Sequence, residues 1–300
     1  MRNPTNTASK ASNIGLLRVG LGLVCLMVLT PAAWAQRARG VDASFWQGNM
    51  DWSKTYDAGA RFAFVRSSRG LTYDDTLFVQ NMTTISNMAS AGKTIYAGAY
   101  HYGIPGDALT SGSTSAAIEA HARAEANHFV TTAGDYMTAG WLRPVLDLEN
   151  GATVGNTAVR LLSNSQLSHW ANTFMNEVEA RVGVEPLVYM NTNYATNYID
   201  NSLADRDLWI ANYNSGGVHG DPLTPGSPPT GNAGAWSFWQ YTSLGSSELY
   251  GIPGNTIDLN VANGDINFVR GFVIPSSVPE PGGALVICGA SLLALSRRRR

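Results

Sequence analysis

Asp147 and Glu149 stand two residues apart in the run Pro144-Val145-Leu146-Asp147-Leu148-Glu149. Along a β-strand alternate side chains share a face, so Val145, Asp147 and Glu149 point one way and Leu146 and Leu148 the other. Two acids thus occupy a face that a strand in an apolar setting would give to carbon. Carboxylates a few ångströms apart do not both ionise cheaply, and the pKa of one rises. A carboxyl that keeps its proton near neutral pH is what acid-catalysed glycoside cleavage needs. Strand-end acids also have structural uses, as helix caps or arginine partners. Capping takes one carboxylate, and here there are two.

Two further acids stand in comparable places. Asp42 follows Gly40-Val41, and Asp258 lies in Ile257-Asp258-Leu259-Asn260. In α/β barrels functional side chains come from the C-terminal ends of strands, where the loops build the pocket. Three segments could therefore bring carboxylates to one mouth. Other chemistries leave no trace. The five histidines form no HExxH pair, there is no Gly-rich phosphate loop and no GxSxG elbow, and nothing marks a nucleophilic serine. No metal and no cofactor is expected. Cys25 and Cys288 both lie in the flanking segments, so the intervening chain has no cysteine nucleophile, disulfide or thiolate site. A net charge of −2 with 14% charged residues gives no reason to expect nucleic acid, and 44% hydrophobic residues suffice for a large core.

The elements that must hold these acids follow from apolar patterning. Runs rich in Val, Ile, Tyr and Phe predict strands at 40–44, 62–67, 94–102, 144–149, 187–191, 208–213 and 236–241. Helical patterns fall between several of them: 74–91, with Asp residues suited to a cap and Gly92 as a stop, the Ala-rich 113–132, and 165–182, stopped by Gly183. Strands alternating with helices imply parallel pairing, as a single α/β barrel first and a doubly wound open sheet second. The stretch 215–234, dense in Gly, Pro and Ser, is expected to be a long surface loop.

Both ends look like addresses. Residues 1–35 carry Arg2, Lys10 and Arg18, an apolar run, and then Ala33-Trp34-Ala35, the layout of a secretory signal cleaved after Ala35. About a dozen apolar residues fall short of the roughly 20 that span a bilayer. Residues 276–300 hold Val278-Pro279-Glu280-Pro281, an apolar stretch and Arg297 to Arg300. This tail resembles the PEP-CTERM sorting signal, which implies contact with the membrane and processing by an exosortase; a simple anchor is the alternative. The main domain then runs over 36–275.

Taken together, that domain resembles glycoside hydrolase family 25, the Chalaropsis-type lysozymes or N-acetylmuramidases. The likeness rests on Gly40-Val41-Asp42-Ala43-Ser44-Phe45-Trp46-Gln47-Gly48, Ala97-Gly98-Ala99-Tyr100-His101-Tyr102, the Asp147/Glu149 strand, Trp209-Ile210-Ala211-Asn212-Tyr213, Trp239-Gln240-Tyr241-Thr242 and Ile257-Asp258-Leu259-Asn260. The resemblance implies an irregular β/α barrel (TIM-barrel-like) that cleaves the β-1,4 bond between N-acetylmuramic acid and N-acetylglucosamine in peptidoglycan. It implies Glu149 as general acid/base holding a proton, and a charged Asp147 steadying the reacting centre. Asp42 and Asp258 would complete an acidic floor, and Tyr100, Tyr102, Tyr189, Trp209, Trp239 and Gln240 would bind substrate. By alternation Trp239 shares a face with Tyr241, and one or both are expected in the groove. Assistance from the substrate acetamide is favoured over attack by an enzyme carboxylate.

One departure stands out. Many members of the family have an acid in the turn where this chain has Ser68-Arg69-Gly70. Arg69 is expected to lower the groove's negative charge or to pair with Asp74 or Asp75. Two other functions stay in view: a non-catalytic glycan-binding surface protein, and a hydrolase of another N-acetylated exopolysaccharide. All three imply export to the cell surface or beyond, with signal peptidase and exosortase-type machinery as partners.

Overall fold

The computed structural model describes residues 36–150, 162–213, 226–254 and 256–276. The expected signal, the C-terminal sorting segment from 277 onward and residues 214–225 of the expected loop lie outside the described residues.

Among the described residues nine strands form one sheet: β1 (Arg39–Ala43), β2 (Ala60–Arg69), β3 (Tyr73–Asp74), β4 (Tyr96–Tyr102), β5 (Val145–Asp147), β6 (Leu187–Asn191), β7 (Leu208–Ala211), β8 (Trp236–Gly245) and β9 (Ile257–Ala262). The order is β1-β9-β8-β7-β6-β5-β4-β2-β3, and pairing of β1 with β2 closes it. β3 is a short hairpin extension of β2, so eight strands make the barrel wall. The barrel expectation holds over the open sheet. Around it lie α1 (Trp52–Asp57), α2 (Phe78–Ser90), α3 (Ser115–Ala133), α4 (Asn164–Val182), α5 (Thr192–Asn197), α6 (Ser247–Tyr250) and α7 (Ile266–Arg270).

The wall is parallel from β1 round to β8, but β9 runs antiparallel to both of its neighbours. Chain length is the reason. A parallel return needs a crossover of a dozen or more residues, and the link from Gly245 to Ile257 holds only the one-turn α6. The strand must therefore turn back. Its N-terminal end then lies at the end of the barrel where the parallel strands finish.

Two apolar layers follow from the alternation. Inside the barrel, Phe62, Phe64, Val145, Leu187, Tyr189, Trp209, Phe238 and Phe272 form an aromatic-rich core. Gly40 lacks a side chain where a Cβ would collide with the ring of Phe62, which is how that ring fits inside. Outside, Val41, Val65, Leu146, Leu148, Val188 and Ile210 pack against Ile118, Phe129, Trp170, Phe174 and other helix residues. The helices begin and end for local reasons. Ser163 and Gln166 form a capping box on α4, and Gly183 ends it in the left-handed region at φ 75°. The helix expected from residue 74 starts instead at Phe78, because Asp74 belongs to β3 while Asp75 accepts the backbone N–H of Leu77.

His101 faces the helix layer. Its ring lies between Ser68 Oγ, at 2.9 Å from Nδ1, and Glu125 Oε2, at 3.0 Å from Nε2. The three resemble a nucleophile triad, yet all are fully buried away from the cleft, so no substrate reaches Ser68. Burial holds His101 well below its ordinary pKa and pushes Glu125 up to about 7. Among the described residues no helix is long and apolar enough to cross a membrane.

Candidate active site

The mouth at the C-terminal ends of the parallel strands holds a cleft of about 370 Å³. Asp42 near the end of β1, Asp147 as the last residue of β5, Glu149 two residues on, and Asp258 near the start of β9 all line it. Asp258 reaches this end only because β9 is reversed, and the pairing sets it directly opposite Asp42. Ala43, Ser44, Trp46, Gln47, Arg66, Arg69, Tyr100 and Tyr102 complete the lining.

Asp42 is the best-supported acid. Its Oδ2 accepts Gln240 Nε2 at 2.9 Å and Asn260 Nδ2 at 2.8 Å. Both amides are themselves fixed. Gln240 Oε1 accepts the hydroxyls of Tyr189 (3.0 Å) and Tyr213 (2.8 Å), and Asn260 Oδ1 accepts Trp209 Nε1 (2.8 Å). Each amide therefore has to present its NH₂ to Asp42. Burial pushes Asp42 up and these donors oppose it. Asp258 is pushed up to about 8, first by burial and then by the charge of Asp42, to which it is also hydrogen-bonded. The hydrogen bond between the two carboxyls raises Asp258 and lowers Asp42.

Asp147 and Glu149 are both raised. Burial is the leading cause for each; for Asp147 the charges of Glu149 and Asp42 add to it while Arg66 opposes, and for Glu149 the charge of Asp42 adds. The shift is greater at Asp147, which is 6% exposed, than at half-buried Glu149. Both carboxyls are thus raised, Asp147 the more, where the resemblance implies a charged Asp147 beside a protonated Glu149. Asp147 Oδ1 is buried and has no hydrogen-bond partner among the described residues. An N–H donated to it would favour its ionised form.

The expected binding residues separate into three groups. Tyr100 and Tyr102 line the cleft. Tyr189, Gln240 and Trp209 lie beneath it, at 7%, 2% and 1% exposure, and hold Asp42 and Asn260 in place instead of offering a surface. Trp209 also stacks on Phe64 at 4.6 Å between ring centroids. Trp239 is a correction. It is fully buried in the outer layer, with its Nε1 on the carbonyl of Asn212. Its neighbour Gln240 points into the barrel, and strand alternation sends the two to opposite faces. Tyr241 packs against the same outer layer as Trp239.

Arg69 pairs with neither Asp74 nor Asp75. Asp74 lies 2.9 Å from His128 Nε2 and accepts the Thr132 hydroxyl, while Asp75 takes Arg66 at 3.0 Å and the backbone N–H of Phe45. Sequence reasoning missed Arg66, Asn260 and Tyr213. Trp46 lines the cleft at 64% exposure. The parity of Arg66 with Phe62 and Phe64 on β2 was the available signal that it faces inward.

Comparison with known proteins agrees with this geometry. Residues 41–249 match the profile of Glycosyl hydrolases family 25. Lysozyme M1 of Streptomyces globisporus is 30% identical over 230 residues, spanning 75% of this chain and 68% of that protein. An N,O-diacetylmuramidase of Chalaropsis sp. is 26% identical over 237 residues, 77% of this chain and 97% of the other. The crystal structure of a lysozyme from Streptomyces coelicolor superposes with a TM-score of 0.62 at 25% identity, covering 80% of this chain and 98% of that one. The profile match, the relative at 30% identity and the shared barrel lead to one conclusion: this chain belongs to family 25 of the glycosyl hydrolases.

Proposed function

We propose that the protein is a muramidase that hydrolyses the β-1,4 bond between N-acetylmuramic acid and N-acetylglucosamine in peptidoglycan. The observation that carries this reading is the convergence of Asp42, Asp147, Glu149 and Asp258 on one cleft of a family 25 barrel. Relatives named as lysozyme and N,O-diacetylmuramidase support the substrate class.

Glu149 is the proton donor. Burial and the Asp42 charge raise its pKa, and half-burial leaves it able to reach substrate. The proton goes to the glycosidic oxygen as the bond to the anomeric carbon breaks. The substrate's acetamide oxygen closes on that carbon, and Asp147 Oδ1, which has no partner among the described residues, accepts the acetamide N–H. Glu149, now a carboxylate, takes a proton from the water that opens the ring and so returns to its starting state. Asp42 and Asp258 together keep one negative charge on the floor, where positive charge develops in the sugar.

Mass spectrometry of digested peptidoglycan tests the bond assignment: N-acetylmuramic acid at the new reducing ends is expected, and N-acetylglucosamine there would overturn it. Glu149→Gln should lower kcat by about 10²- to 10⁴-fold, the usual worth of a positioned acid/base. A variant that clears peptidoglycan as fast as the parent would remove Glu149 from the mechanism. The signal at 1–35 and the tail at 276–300 support export to the cell surface or beyond, with signal peptidase and an exosortase as processing partners and the tail contacting the membrane in transit. The presence of mature protein outside the cytoplasmic membrane, starting at Gln36, checks this.

A further inference from the structure

We infer that Arg69 selects a carboxylate on the substrate, so that the cleft prefers N-acetylated glycan carrying a free carboxyl beside the cleaved bond over neutral glycan. The inference rests on the glycan-hydrolysing function proposed above and adds a specificity determinant to it.

Two guanidiniums line the cleft, and their circumstances differ. Arg66 is buried at 9% exposure and held by Asp75, with both Nε and Nη2 3.0 Å from Oδ2. Arg69 is exposed and forms no ion pair among the described residues. The acids nearest to it in sequence are occupied, Asp74 by His128 and Thr132, Asp75 by Arg66. A cation placed to neutralise the carboxyl cluster would be bonded to a member of it. This one is left over for something the free protein does not contain.

Its position is nonetheless fixed. Arg69 ends β2 and pairs in register with Tyr102 on β4 and Tyr73 on β3. The next residue, Gly70, donates its N–H to the carbonyl of Tyr102 at 3.0 Å, and its own carbonyl lies 2.6 Å from His128 Nδ1. The guanidinium carbon lies 5.6 Å from the centroid of the Tyr102 ring, an arrangement that holds a cation by its attraction to the ring face. Glu149 lines the same cleft as Arg69, so the cation and the proposed proton donor face one space. A planar, preset guanidinium is suited to a carboxylate, which it binds through two parallel N–H donors.

Two sources could supply that carboxylate: the lactyl group of muramic acid with any peptide attached to it, or a uronic acid in an exopolysaccharide. The test uses the purified full chain on soluble peptidoglycan strands, once with carboxyls free and once with the same carboxyls converted to methylamides. The unaltered protein should show a KM about tenfold lower on the free-acid strands. Arg69→Gln should close that gap, and Arg69→Lys should keep part of it. A gap of the same size in Arg69→Gln, or no gap in the unaltered protein, would overturn the inference. Strands freed of peptide by an amidase, and an N-acetylated glycan bearing uronic acid, distinguish the sources. Should no strand release reducing ends, the muramidase function fails separately, and calorimetric Kd values for the two strand forms then decide on Arg69 by the same gap.

Discussion

Asp42 shows how hydrogen-bond donors counter the effect of burial on a carboxylate in a crowded acidic cleft. Two amide donors converge on Oδ2, each locked by further hydrogen bonds, while Asp258 opposite is pushed up to about 8. Hydrogen bonding to the charged form offsets part of the burial cost. The charge of Asp42 is also the second cause of the raised Glu149. Removing it by Asp42→Asn lowers the pKa of Glu149. The alkaline limb of the kcat/KM profile, where the donor loses its proton, should therefore move to lower pH, whatever the loss in overall rate. An unmoved limb in a pH–rate series would show that Asp42 does not tune the acid. Asp147 illustrates the opposite state, a buried oxygen with no partner among the described residues, whose ionisation then depends on what the substrate donates.

At the level of elements, the strands that matter most were readable because each carries its own signal. The β5 alternation placed Asp147 toward the barrel interior and Leu146 and Leu148 against the helices, as the two apolar clusters show. On β8 the resemblance implies both Trp239 and Gln240 in the groove, but neighbours on a strand face opposite ways, and only Gln240 faces inward. β9 was legible as a motif but not as a reversed strand, since its direction is set by the short link before it and not by its own residues. Arg66 escaped notice because its inward face depends on strand parity, and its partner Asp75 lies beyond a hairpin. Of the helix ends, the Gly183 stop of α4 is legible in sequence, whereas the cap expected of the Asp residues before α2 is not formed, since Asp74 belongs to β3 and Leu77 is the N-cap. Ser163→Ala on α4 should cost about 1 kcal/mol in denaturant unfolding, and because no α4 residue lines the cleft, kcat should not change. A loss of activity out of proportion to stability would show that α4 does more than support the wall.

For the molecule as a whole, the cleft is a cost to the fold. Asp258 has a folded pKa of about 8 against an ordinary value of 3.8. The folded state therefore binds this proton more tightly than the unfolded chain. Its contribution is most favourable below about pH 4 and is lost as pH rises toward 8. Asp258→Asn removes that slope and leaves an amide that can still donate to Asp42. Its thermal midpoint should match the parent's near pH 4 and exceed it by roughly 2–8 °C at pH 8, for a discounted gain of about 1–2 kcal/mol. A constant difference across that range would place the strain elsewhere.

The reversed last strand also sets a timetable. β9 pairs Arg39 with Val261 and Asp42 with Asp258, so the first and last strands of the wall meet only after almost all of the domain has been synthesised. Contacts this distant in sequence form late and slowly, because the intervening chain must be ordered first. Before closure, Asp42 lacks both Asn260 and Asp258, and the acidic floor does not exist. Until the two ends of the barrel join, the four carboxyls stand on separate segments of chain and share no cleft.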